Sequence, residues 1–243
     1  MDSVKHDKLK TDGRTRSQRT VTIRAEDRDQ FGLTFRPLPY RELKRRFWHM
    51  APGLLALVLQ VVPHRDPISP TLQWIIIGCC IVIAGRILLG FSQIQRQCEG
   101  AGIASVSGYG LSVLMTILLF PQHLELGLSV LSILAFGDGS ATLFGLALRG
   151  PRLPWNTGKS WSGLIAFLAI GSLMTSWIYW GEANGVEAVD PAVSFGLALA
   201  LTAPAVLLAG LAESVRSKIN DNIRVGIVAA LTLALLHSLQ GAL

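Results

Sequence analysis

Between Leu124 and Leu148 the chain runs through one apolar stretch whose only charges are Glu125 and Asp138. A run of this length lies in hydrocarbon only as a helix, which satisfies its own backbone hydrogen bonds. A carboxylate there costs at least about 2.5–3.5 kcal/mol, so Asp138 is expected to be functional. Directly after it comes a short polar, basic segment with Arg149, Arg152 and Lys159. At a rise of about 1.5 Å per residue, Asp138 would lie roughly 15 Å below that segment. An acid lining a cavity, with phosphate-sized cations above it, predicts a metal and polyphosphate site. The plainer alternative is packing: Gly137, Ala141 and Gly145 recur every fourth residue, a small-residue face that lets membrane helices approach closely.

Six further apolar stretches fall at 50–63, 71–91, 103–120, 161–180, 192–212 and 223–243. Half of the residues are apolar and the mean hydropathy is +0.44, too oily for a soluble domain of this length. The expected fold is therefore all-α, a polytopic membrane bundle of about seven helices. Residues 1–40 read as a disordered basic cytoplasmic tail and 41–243 as one multi-pass domain, with Tyr40–Trp48 a helix at the interface. Thirteen of the 22 lysines and arginines and seven of the 16 acids fall in residues 1–47, so this stretch carries the whole net charge of +6. With a membrane domain attached and no interleaved aromatics, that charge suits an anionic lipid surface rather than nucleic acid. Segments 92–102, 149–160 and 213–224 are basic, whereas the alternate connections hold Arg65 alone among acids. This asymmetry predicts a cytoplasmic N-terminus and a non-cytoplasmic C-terminus. No cleavable leader is expected, and Cys79, Cys80 and Cys98 have neither disulfide nor metal spacing.

The basic face collects the unusual polar groups. Arg46 and His49 lie at i and i+3 where the first stretch begins, with Gly53 on the same helical face. Asn156–Ser160 imitates the end of a P-loop, but Leu153 stands where the first glycine would be needed, so it is not one. Lys159 and Arg152 beside Gly150 and Gly158 still suit phosphate binding. Glu213 ends the sixth stretch and Asp221-Asn222 opens the seventh, so the turn between them can bring two carboxylates together for Mg²⁺. The structural alternative makes Asp221 or Asn222 a helix N-cap. His64, His123 and His237 fall near the opposite face and read as interfacial or packing residues.

Arg45-Arg46-x-x-His49-x-x-x-Gly53, Gly137-Asp138-x-x-Ala141-x-x-x-Gly145-x-x-x-x-Gly150, Lys159-Ser160-x-x-Gly163, Glu213 and Asp221-Asn222 follow one another in order. Together they resemble the signature of the dolichol kinase and phytol kinase family, broadly grouped with CTP-dependent diacylglycerol kinases. Ser162, Leu146 and the Val225-Gly226 pair differ from the family's usual residues. The resemblance implies phosphoryl transfer from a nucleoside triphosphate, often CTP, to the hydroxyl of a membrane lipid alcohol. Asp138 is then expected to hold Mg²⁺ with Asp221 or Glu213, while Lys159 and Arg46 neutralise phosphate. Arg152, Gly137, Gly145, Gly150, Ser160 and Asn222 would line the nucleotide, and His49 or a carboxylate would take the alcohol proton. A phosphatidate cytidylyltransferase has a similar Gly-Asp…Ala…Gly…Lys block, but Glu213–Val225 lacks its closing motif. A transporter or non-catalytic scaffold is the alternative from another class, without the internal repeat that would support it.

Overall fold

The computed structural model describes residues 37–62, 69–89, 109–111, 114, 122–148, 150–186, 188 and 192–241. The chain is mostly helical. Helix α1 spans Tyr40–Met50, α2 Gly53–Leu59 and α3 Pro70–Leu89. Helix α4, Leu124–Ser132, runs through a π-helical turn, Ile133–Gly137, into α5, Asp138–Leu148. Two short strands follow, β1 Arg152–Leu153 and β2 Asn156–Ser160, then α6 Trp161–Ala183, α7 Phe195–Ser214 and α8 Asp221–Gly241.

Every residue from Leu124 to Gly137 is buried, as expected of a helix that is apolar all round. This helix is the axis of the bundle: α6, α8 and α2 pack on α4, and the π-turn touches α1, α2, α6, α7 and α8. Small residues set the close approaches. A Cβ on Gly53 would sit 2.6 Å from the Ala135 Cβ, and one on Gly163 would sit 2.8 Å from the Ala141 carbonyl oxygen. Because a backbone oxygen cannot swing aside, Gly163→Val is expected to destabilise the bundle by about 1–3 kcal/mol. Thermal unfolding in detergent reads this as a lower midpoint, and an unchanged midpoint would contradict the contact. Buried hydroxyls bridge the helices, Thr175 donating to Ser132 at 3.1 Å and Ser176 meeting Thr202 at 2.7 Å.

Among the described residues, four helices are long and apolar enough to cross a membrane: Leu124–Leu148, Trp161–Ala183, Phe195–Ser214 and Asp221–Gln240. Their outer faces carry exposed Ile165, Leu173, Leu207, Leu211, Leu231 and Leu235. An apolar surface of that extent suits lipid rather than water.

Three expectations need correction or fall elsewhere. The first apolar stretch is not one long helix, because Pro52 lacks the N–H that would continue the ladder and α1 ends just before it. The all-α expectation misses the hairpin, in which β1 and β2 pair antiparallel around Pro154-Trp155. The tail at 1–36, the connection 92–102 and most of the stretch at 103–120 lie outside the described residues.

Candidate active site

Asp138 follows directly on the π-turn, a local widening of the helix that often marks functional positions. The turn changes the hydrogen-bond ladder around it, and the Leu134 carbonyl lies 3.1 Å from His49 Nε2. The same nitrogen lies 3.0 Å from Asp138 Oδ2. Both partners are acceptors, so Nε2 carries the hydrogen and His49 donates to both. The His49 ring also packs edge-on against Tyr109, with centroids 5.3 Å apart. Arg46, one turn earlier on α1, is buried and reaches Glu42 Oε1 at 3.4 Å, beside Arg45 at 3.1 Å. Helix α1 thus lays a histidine and an arginine over the start of α5.

The hairpin supplies the lysine. Leu153 is buried beneath it, Trp155 Nε1 donates to Ser214 Oγ at 3.0 Å, and Asn156 Nδ2 donates to the Ser214 carbonyl at 2.9 Å. These bonds fix β2 to the end of α7. Lys159 Nζ consequently donates to the Glu213 carboxylate, to the Glu213 carbonyl at 2.6 Å and to Asp221 Oδ2 at 3.1 Å. Burial works against the Lys159 charge, but the carboxylates of Glu213, Asp221 and Asp138 outweigh it and raise its pKa above the ordinary lysine value. It is a fixed cation at neutral pH. Asp221 is held on its other oxygen by Arg224 at 2.7 Å.

One cavity of about 340 Å³ joins these groups. Arg45, Arg46, Arg152 and Lys159 line it together with Asp138, Glu213 and Asp221, leaving the wall with one more cation than carboxylates. His49, Gly145, Ser160 and Asn222 line it too. The sequence motifs from five separate helices and the hairpin therefore meet at one mouth. Gly137 and Gly150 are not among the lining residues: a Cβ on Gly137 would meet the Phe167 ring at 3.2 Å, and one on Gly150 would meet Ser162 Oγ at 3.0 Å. Their lack of a side chain serves packing. Ser160 caps α6, its Oγ accepting from Gly163 N–H at 3.3 Å. Neither Asp221 nor Asn222 is the cap of α8. Asn220 takes that place, its Oδ1 accepting from Asn222 N–H at 3.0 Å, which leaves Asp221 to the cations.

Glu213 and Asp221 do converge, yet the group between them is the Lys159 ammonium. Asp138 lines the same cavity and is bonded through Oδ2 to the His49 imidazole, whereas the two other acids are tied to Lys159. An oxygen-donor acid at a polar mouth fits Mg²⁺, which takes one or two carboxylates plus substrate phosphates. Within this cavity Asp138 is the better placed of the three.

No family model matches the chain, and no solved structure matches it significantly. Three curated proteins do. It is 31% identical over 132 residues to "Probable phytol kinase 2, chloroplastic" of Glycine max, covering 54% of this chain and 44% of that protein. A Zea mays protein named probable phytol kinase matches at 31% over 132 residues, 43% of its length. An Oryza sativa subsp. japonica protein, probable phytol kinase 1, matches at 30% over 131 residues, 40% of its length. The matched stretch is thus less than half of each relative. Over that stretch the chain is a homologue of proteins named phytol kinases, in agreement with the family its own motifs resemble.

Proposed function

We propose that the chain is an integral-membrane lipid-alcohol kinase that transfers the terminal phosphoryl group of CTP to the hydroxyl of a phytol-like prenol. The observation that carries this reading is the shared cavity in which Asp138, held by His49, lies with Lys159 and Arg46. The phytol kinase names of its relatives support a phytol-like alcohol among membrane lipids.

Phosphoryl transfer asks a protein mainly for placement and for neutralisation of equatorial oxygens. Lys159 and Arg46 do the second: one is fixed by two carboxylates and the other is buried on α1, so neither needs ordering when the nucleotide arrives. Arg152 and Arg45 extend the positive wall toward the remaining phosphates. Asp138 would hold Mg²⁺, whose charge screens the triphosphate when bound. The alcohol reaches the mouth from the bilayer, where the apolar outer faces of the helices meet its chain. Its oxygen forms the new bond to phosphorus, the bond to the bridging oxygen breaks, the nucleoside diphosphate leaves, and the proton departs to solvent.

His49 is assigned here as a positioning residue, since its Nε2 donates to Asp138 and Leu134. His49→Gln retains an N–H donor and is expected to keep activity within about tenfold, with an unshifted pH profile. Loss of about 10²–10⁴-fold together with the basic limb of the profile would instead make His49 the general base. The charge asymmetry supports a cytoplasmic face for the cavity. A reporter after Leu243 should then read the opposite side from one at Pro154, and matching sides would overturn that orientation. The function itself is tested by CDP release from purified protein in detergent. Release should require phytol and stop when phytyl methyl ether, which has no hydroxyl, replaces it. Equal release with the ether, or none with phytol or another long-chain alcohol, would contradict the proposal.

A further inference from the structure

A second cluster sits at the other end of the bundle. Glu125 lies in the first turn of α4, thirteen positions before Asp138 on one continuous helix, or about 20 Å away. His123 Nδ1 lies 3.0 Å from Glu125 Oε1, and His237 Nε2, from the far end of α8, lies 3.9 Å from the same oxygen. The two imidazoles meet edge-on with centroids 4.5 Å apart. Ligand atoms from His123, Glu125 and His237 all fall within 4.8 Å of one another. Behind them, Tyr179 of α6 bonds His237 Nδ1 at 2.9 Å. Nothing in the phosphoryl-transfer site uses these residues.

We propose that His123, Glu125 and His237 bind a divalent transition metal, with Zn²⁺ the best fit, and that the ion staples the start of α4 to the end of α8. The donor chemistry argues for it. Two imidazoles and one carboxylate form a ligand set typical of zinc, and zinc holds such donors at about 2.0–2.2 Å. Three donors already within 4.8 Å close on an ion through side-chain movement alone. The Tyr179 bond supplies the outer-shell contact that metal-bound histidines usually have. In the His237 tautomer with the hydrogen on Nδ1, donated to the Tyr179 oxygen, Nε2 presents the lone pair that a metal needs. Glu125 is buried at 6% exposure, while the His123 side chain is 27% exposed, so an ion can enter past His123. This assignment is independent of the kinase reading.

The test uses tag-free full-length protein in detergent, stripped with a chelator and titrated with Zn²⁺ against a chromophoric competitor. One ion per chain is expected, with a rise in the thermal midpoint and, for Co²⁺, the visible absorption of a low-symmetry N/O site. Tyr179→Phe should weaken Zn²⁺ binding by about 10–100-fold, and His123→Ala and Glu125→Gln should each weaken it further. His123 is the least buried of the three ligands, so its variant keeps the test informative should His237→Ala not fold. Lipid phosphorylation with Mg²⁺ should survive stripping. Zn²⁺ uptake equal in wild type and His123→Ala, or no uptake by wild type, would overturn the proposal.

Discussion

Replacing Asp138 with asparagine is expected to lower lipid phosphorylation by at least about 100- to 1000-fold, roughly 3–4 kcal/mol of transition-state stabilisation. The substitution keeps the shape and removes the charge. His49 Nε2 can still donate to the amide oxygen, so the contact between α1 and α5 survives. Burying an amide costs less than burying a carboxylate, so the thermal midpoint should hold or rise. A packing role for Asp138 predicts the opposite pattern, with activity retained. Near wild-type rates from the Asp138→Asn protein would remove the acid from the mechanism.

The second large effect is on stability. Lys159→Ala leaves Glu213, 6% exposed, without its ammonium partner. Breaking a buried pair from one side costs about 3–5 kcal/mol. The lower part of that range applies here, because the Lys159 side chain is 25% exposed. Adding Glu213→Gln removes the stranded charge, so the double variant should regain most of the lost thermal midpoint. It should not regain phosphoryl transfer, since the phosphates then lack the fixed Lys159 charge that acts beside Arg46. Recovery of both would reduce Lys159 to a structural residue, and recovery of neither would mean that the stranded Glu213 charge is not the source of the lost stability.

The parts of this site that could be read from the chain are those where residue type conflicts with its surroundings. Asp138 in an apolar run and Arg46 and His49 at the start of another stand out because charge is costly there. The convergence of Glu213 with Asp221 follows from a short turn between two long apolar segments. What lay between them was not legible, because the position of Lys159 depends on a hairpin tied to Ser214 by Trp155 and Asn156. Those bonds span nearly sixty residues and leave no periodic trace. The π-turn was equally hidden: Ile133–Gly137 is compositionally an ordinary helix, and only its neighbours on five helices show its place at the centre of the bundle. Asn220 could have been read as the cap, since it precedes Asp221 with the side chain that caps favour. His123 and His237 look like isolated interfacial histidines because 113 intervening residues separate them, and only the return of α8 brings their rings together.

Phosphoryl transfer to a lipid hydroxyl can be read by following both ends of the donor at once. Purified protein in detergent would be given Mg²⁺, phytol, and CTP labelled separately in the γ-phosphate and in the cytidine, with phosphatidate also present. The γ-phosphate label is expected in a phytyl monophosphate, with no cytidine in any lipid. Cytidine appearing in a lipid product would contradict phosphoryl transfer in favour of a cytidylyltransferase.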